Sequence, residues 1–230
     1  MNALRFYMIA LILLLGLPPL MCQNLKESLD ATYGLCPKLY NGKLYADSYN
    51  RDVKGHPFLM QPVYESGQLK LRQGNFPDLK LNYDIYTQKV LLKFETQNKA
   101  YRQIEIPLEH LLEFNLQKRN FVNLPEEDKS FQIYQVIGDQ ETRFYIHWYK
   151  KLETVKSSST YKHEFTDAKK TFYLVRKDQL TALSNNKSLR LCFPEEQHAT
   201  IKKWMKSQGI NLKKASDQQI LMLSQYLNSL

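Results

Sequence analysis

The chain has 230 residues, of which 43% are hydrophobic and 24% are charged, and its formal net charge is +9. These values are ordinary for a folded globular chain and exclude the disordered, collagen-like and membrane-embedded classes. The charge is uneven, because residues 150–214 hold 15 Lys and Arg against 6 Asp and Glu, whereas residues 23–149 hold 16 of each. Any attraction to anionic partners is therefore expected from the C-terminal third.

The N-terminal segment, residues 1–22, has the pattern of a signal peptide. Arg5 precedes a short apolar run, and a Gly-Pro break and Cys22 follow. The run is shorter than the roughly 20 residues of a membrane-spanning helix, so we predict cleavage after Cys22 and no transmembrane span in the mature chain. The alternative is a lipoprotein acylated on Cys22, although Met21 is not the small residue expected before such a cysteine.

Residues 23–37 form an N-terminal segment with weak helical character over residues 24–35, and residues 38–193 have the alternation of short strands. Leu79, Leu81 and Tyr83 share one face, and a turn at Thr87-Gln88 leads to a second alternating run. No long helical crossover separates the runs, so antiparallel pairing is expected. Turn residues predict further hairpins at Tyr40–Lys43, Glu65–Gln68, Gly138-Asp139 and Thr166–Ala168.

In residues 194–230 the apolar period changes to that of helices. Pro194 and two acidic residues begin one helix, Gly209 ends it, and Ser216 with Gln219 forms a capping box for a second. The predicted fold is mainly β (α+β). It is an antiparallel curved sheet, an open barrel or a sandwich, with a C-terminal pair of short helices packed on the same domain. Ile201, Trp204 and Met205 are the predicted apolar stripe of the first helix.

One strand face combines aromatic, cationic and hydrogen-bonding groups. Arg143, Tyr145, His147 and Tyr149 alternate with apolar residues and point away from them. Such a strip suits sugar rings, peptides or acidic groups, because Tyr offers a flat apolar surface and a hydroxyl. The alternative is a face covered by a loop or helix. If any pair performs acid and base chemistry, we expect His147 with Asp84.

The remaining histidines and the cysteines give weaker signals. His56 lies in a Gly- and Pro-bounded turn that either presents the ring or is only structural. The five histidines do not have paired metal-ligand spacing, so no metal site or cofactor is predicted. After signal cleavage Cys36 and Cys192 remain, and either a disulfide or two buried thiols fits their spacing.

A basic surface is predicted on and after the first C-terminal helix. Its lysines suit an anionic lipid, a glycan or an acidic envelope protein, although such residues also simply keep a helix soluble. Nucleic acid is not an expected partner, because export separates the chain from it. The residues of this surface are Lys202, Lys203, Lys206, Lys213 and Lys214.

Four segments together resemble a group of uncharacterised exported proteins of Bacteroidota, over most of the mature chain. They are YNGKLYADSYNRDVKGHPFL, LNYDIYTQKVLLKF, SLRLCFPEEQHATIKKWMKSQGIN and DQQILMLSQYLNSL. The resemblance implies a bacterial source and a periplasmic or envelope-associated location, and it implies no activity, ligand or catalytic residue. The chain contains no familiar catalytic motif. The sequence therefore favours a non-catalytic binding or interaction protein, with a hydrolase-type enzyme acting on envelope material as the alternative.

Overall fold

The computed structural model describes residues 37–40, 42–46, 52–96, 98–128, 130–138, 141–155, 160–177 and 179–230. They belong to two compact units, one containing residues 37–40, 95–96 and 98–101, the other containing the described residues of 42–94 and 102–230. In the first unit, α1 (Pro37–Tyr40) is one helical turn, and the backbone N–H of Thr96 donates to the carbonyl of Ala100. The predicted signal peptide, Cys22 and Cys36 lie outside the described residues.

The second unit contains nearly all the regular structure. Its described strands are β1 (Lys43–Leu44), β2 (Val53–Lys54), β3 (Glu65–Leu71), β4 (Gly74–Asp84), β5 (Lys89–Glu95), β6 (Tyr101–Glu105), β7 (Leu111–Leu116), β8 (Arg119–Pro125), β9 (Phe131–Ile137), β10 (Arg143–Tyr149), β11 (Leu152–Thr154), β12 (His163–Phe165), β13 (Lys169–Arg176) and β14 (Gln179–Leu183). Its described helices are α2 (Asn186–Arg190), α3 (Glu195–Ser207), a 3-10 turn (Leu212–Lys214) and α4 (Asp217–Asn228).

Eleven strands form one antiparallel sheet in the order β1-β6-β5-β4-β3-β7-β8-β9-β10-β13-β14. Because this order is linear, the described strands do not close into a barrel. A smaller sheet has the order β11-β12-β2, and its β12–β2 pair is parallel. The prediction of a mainly β, antiparallel fold is confirmed.

The C-terminal helices cover one face of the large sheet at its β9–β14 side. Alternate residues of the strands, such as Phe144, Ile146 and Phe172, pack with Ile201 of α3 and Leu223 of α4 in one buried cluster. The predicted helix pair is therefore confirmed, and burial of its apolar stripe is the main source of its stability.

Trp204 differs from the predicted stripe, because the structure leaves it half-buried while Ile201 and Met205 are buried. Its ring stacks on Tyr226 of α4, with centroids 4.1 Å apart. Trp204 therefore ties α3 to α4 at the margin of the core.

The ends of α3 and α4 follow the predicted capping residues. Pro194 is the N-cap of α3. Gly209 follows the C-terminal end of α3 and has a φ of 62°, which glycine adopts without strain. Ser216 and Gln219 form the capping box of α4. Within the described ranges, no helix combines the length and apolar character that crossing a membrane requires.

Three of the predicted hairpins are wrong. Tyr40 ends α1, and β1 pairs with β6 instead of with the preceding residues. β3 runs through Gly67, where a side chain would collide with the carbonyl oxygen of Asn115 on β7. β12 and β13 do not pair with each other, because β12 lies between β11 and β2. Local turn residues do not encode these long-range partners.

Candidate ligand-binding cleft

A row of mostly polar side chains, interrupted by Val136, crosses the sheet on the face opposite to the helices. Backbone register places Gln68 of β3 beside Asn115 of β7, Asn115 beside Asn120 of β8, Asn120 beside Val136 of β9, and Val136 beside Tyr145 of β10. Tyr145 alternates with Phe144 and Ile146, which pack under the helices. The row spans four strand spacings, about 19 Å at about 4.8 Å each.

The three amides of this row present donors and acceptors to solvent. The Asn115 amide Nδ2 donates to Asn120 Oδ1 over 2.8 Å. This bond leaves the Asn115 oxygen and the Asn120 amino group without partners among the described residues, and Gln68 is exposed. Paired amide donors and acceptors suit ligands rich in hydroxyl groups, because each hydroxyl both donates and accepts.

These residues line a cleft of about 630 Å³, which we call the amide cleft. Phe76 and Pro77 at the start of β4 form one wall, and Arg143 and Tyr145 of β10 lie on the other side. A break in the β3–β4 register between Gly67 and Leu69 changes the direction of the pairing there. The volume is in the range of small-molecule sites, and the lining combines aromatic and amide groups.

The charged residues in the amide cleft differ in their pairing. Lys70 Nζ lies 2.8 Å from Glu113 Oε1, and both side chains are about half exposed. Arg143 is partly buried and makes no ion pair with a described carboxylate. Its Nε is shielded from solvent without a hydrogen-bond partner among the described residues.

An aromatic cluster adjoins the amide cleft on the same sheet face. The rings of Tyr134, Tyr145 and Tyr173 pack against each other, with centroids 5.3 to 5.7 Å from that of Tyr134. The Tyr134 hydroxyl donates to Glu126 Oε1 over 2.9 Å. Burial raises the pKa of Tyr134 above its ordinary value, and the hydroxyl stays protonated at neutral pH.

The structure divides the predicted strip of β10. Arg143 and Tyr145 line the amide cleft, whereas His147 and Tyr149 stack on each other with centroids 6.1 Å apart. His147 Nδ1 lies 3.2 Å from the carbonyl oxygen of Ile133. Burial lowers the pKa of His147, so the ring is neutral at neutral pH. Only half of the strip therefore belongs to one concave site.

Asp84 has a structural role in the β4–β5 turn. Its carboxylate accepts hydrogen bonds from the backbone N–H groups of Tyr86 and Thr87 and from the Thr87 hydroxyl. These bonds hold the turn at Thr87-Gln88 that the sequence predicts. The contacts of His147 are to Ile133 and aromatic rings, so the proposed acid and base pair gains no support from the geometry.

His56 also holds a loop together. Lys150 Nζ donates to the carbonyl oxygen of His56 over 2.8 Å, and the imidazole stacks on Phe58. Burial and the positive charge of Lys150 lower the pKa of His56. These contacts favour the structural interpretation of this turn.

The cysteine prediction remains open, because Cys36 lies outside the described residues. Cys192 is half-buried, and its Sγ lies 3.4 Å from the carbonyl oxygen of Ser188. Burial raises the pKa of its thiol. Among the described residues, no group of His, Cys, Asp and Glu is arranged to hold a metal ion.

The predicted basic surface is exposed on the helical side of the unit, away from the amide cleft. α3 carries three of its lysines, and the 3-10 turn carries the other two. All five lysines are exposed, namely Lys202, Lys203, Lys206, Lys213 and Lys214.

The sequence patterns did not identify the amides Gln68, Asn115 and Asn120. Each belongs to a different strand, and only the register of β3, β7 and β8 brings them together. A weak signal exists, because Asn is depleted in strands and Asn115 and Asn120 both lie within them.

The chain matches no known protein family, no curated protein and no solved structure.

Proposed function

We propose that this chain is an exported, non-catalytic binding protein of the bacterial cell envelope that holds a glycan in the amide cleft. The observation that carries the proposal is the row of Gln68, Asn115 and Asn120, which continues through Val136 to Tyr145, which is 9% exposed. Hydroxyl-rich ligands need paired donors and acceptors, and sugar rings also present apolar faces that pack on aromatic side chains.

The extent of the row supports a chain of sugars as the ligand. A span of about 19 Å across five strands is longer than a single sugar ring. Phe76 of β4 and Tyr145 of β10 line the amide cleft at its two ends in the strand order, so a long ligand would meet an aromatic residue at each end.

The charged groups of the amide cleft favour binding over hydrolysis. Glycoside hydrolysis generally uses two carboxyl groups that flank the scissile bond. Among the described lining residues Glu113 supplies a single carboxylate, and Lys70 is paired with it. A hydrolase acting on envelope material is thus the less favoured alternative.

A direct binding measurement tests the proposal. Oligosaccharides from bacterial envelopes are screened on a glycan array, and those that bind are titrated by calorimetry into the wild type and into Asn120→Ala and Gln68→Ala. Each variant removes one or two exposed hydrogen bonds, so we expect a loss of about tenfold in affinity, equivalent to about 1.4 kcal/mol.

Gln225→Ala is the matched control, because Gln225 is also an exposed amide but lies on α4. Its affinity should equal that of the wild type. Equal binding by Asn120→Ala and Gln68→Ala would contradict the site. Release of new reducing ends during incubation would support the hydrolase instead.

Export rests on the signal-peptide pattern of residues 1–22, and mass spectrometry of the protein from an expressing Bacteroidota host tests it. A mature chain that begins at Gln23 is the expected result. A mass that includes an acylated Cys22 would identify the lipoprotein alternative. An intact N terminus in the cytoplasmic fraction would contradict export.

A further inference from the structure

The amide cleft contains one positive charge that no described carboxylate compensates. Of its three charged lining residues, Lys70 and Glu113 form an ion pair at 2.8 Å. Arg143 lies outside every ion pair of the described residues. The lining residues therefore leave the amide cleft with an excess of one positive charge.

Arg143 is also incompletely hydrogen-bonded. Its Nε is shielded from solvent and has no partner among the described residues. A partly buried guanidinium with an uncompensated charge is destabilising, and an incoming anion relieves the cost of that charge. Because Nε is shielded, the terminal guanidinium nitrogens are the groups that would meet an anion.

The chemistry of arginine selects the kind of anion. The planar guanidinium fork matches a carboxylate, which accepts two parallel hydrogen bonds from it. Arg143 and Tyr145 are two residues apart on β10 and share a face, so their Cα atoms lie about 6.7 Å apart along the strand. A sugar ring beside Tyr145 thus places a carboxylate on the same ring within reach of Arg143.

We infer that the glycan of the amide cleft is acidic, an oligosaccharide containing a hexuronic acid whose carboxylate pairs with Arg143. This inference rests on the proposed function, since it names the class of sugar that the same site holds. The amide row recognises hydroxyl groups, and Arg143 adds selection for a carboxylate.

The test compares acidic oligosaccharides with the same molecules after chemical reduction of each carboxyl group to a primary alcohol. Oligogalacturonate, oligomannuronate and glucuronate-containing tetrasaccharides are titrated, with their reduced forms, into wild type, Arg143→Gln and Arg143→Lys. Reduction preserves the linkages and the ring hydroxyl groups and replaces only the carboxylate with a neutral primary alcohol, so the comparison isolates the charge.

We expect wild type to bind at least one acidic oligosaccharide about tenfold more tightly than its reduced form, since a charge-assisted bidentate pair is among the stronger hydrogen-bonded contacts. Arg143→Gln should bring the two affinities together by lowering the affinity for the acidic form. Arg143→Lys should retain part of the preference, because it keeps the charge and loses the fork. High salt should weaken the preference in the wild type.

The possible failures are distinguishable. Equal affinity of wild type for acidic and reduced forms would overturn the acidic ligand and leave glycan binding intact. A preference that survives in a folded Arg143→Gln variant would overturn the role of Arg143. Binding of neither series would contradict both proposals. Thermal melting of each variant shows whether it is folded before its affinity is interpreted.

Discussion

Asp217 joins the first turn of α4 to the large sheet, and its removal should loosen the helical layer. Its Oδ2 accepts hydrogen bonds from Arg119 Nε at 2.8 Å and from Gln135 Nε2 at 2.9 Å. Gln135 is 2% exposed, and its Oε1 accepts a hydrogen bond from the indole N–H of Trp148. Asp217→Ala therefore removes the shared acceptor of two side chains.

Three lost interactions determine how much Asp217→Ala should lower the free energy of unfolding. The Arg119–Asp217 pair has side chains 26% and 34% exposed, so we assign it about 0.5 to 1 kcal/mol. The buried amide of Gln135 loses its acceptor, at a cost of about 1 to 2 kcal/mol. The substitution also removes the favourable interaction of the Asp217 carboxylate with the N-terminal end of α4, which costs about 0.5 kcal/mol. The free energy of unfolding should fall by about 2 to 3.5 kcal/mol in total.

Urea denaturation followed by tryptophan fluorescence measures this change. With a slope of about 2 to 3 kcal/mol/M, the midpoint should fall by about 1 M. Asp217→Asn keeps an acceptor for Gln135, so it should lower the free energy of unfolding by about half as much as Asp217→Ala. Glu164→Ala is the control, because it breaks the exposed Lys54–Glu164 pair at 3.0 Å and should cost less than about 1 kcal/mol. If Asp217→Ala is no more destabilising than Glu164→Ala, the reasoning is refuted.

Three further predictions concern the backbone, a histidine and the basic surface. Gly138→Ala should lower the free energy of unfolding by about 2 kcal/mol or more. Gly138 has a φ of 95°, and the new Cβ would collide with Ser224. An unchanged thermal midpoint would contradict this prediction. The pKa values of His147 and His56 are both lowered, so the unfolded chain binds more protons and stability should fall as pH drops below 6.5. His147→Asn should weaken that pH dependence in denaturation curves and leave the part that His56 contributes. Binding to vesicles containing anionic lipid should weaken at high salt and in a triple charge-reversal variant, whereas binding unaffected by both would remove the basic surface as a lipid contact. The three changes in that variant are Lys202→Glu, Lys203→Glu and Lys206→Glu.

Much of the fold was predictable because its signals are local. The two-residue alternation around the Thr87-Gln88 turn identified the β4–β5 pair, whose register the structure shows from Lys80 to Asp84. The capping box at Ser216 located the start of α4. Such signals depend on residues a few positions apart. The short helix α2 carries too few residues for a periodic pattern, and the sequence did not reveal it.

The candidate site was predictable only in part. Alternation along β10 correctly separated Tyr145 from Phe144 and Ile146, which lie on opposite faces of the sheet. It did not show that Arg143 and Tyr145 line a cleft while His147 packs against Tyr149. Residues on the same face of one strand share a direction, but neighbouring strands decide which of them stay open to a ligand.

The sequence by itself determined the mainly β class, the β4–β5 and β9–β10 hairpins and the two C-terminal helices, because period and capping act within a few residues. Only the tertiary structure decided which strands are neighbours. It placed Gln68 beside Asn115, 47 positions further on, and joined Arg119 to Asp217 across 98 positions. Pairing over such distances is selected by burial and register of the whole sheet, and no local pattern encodes it.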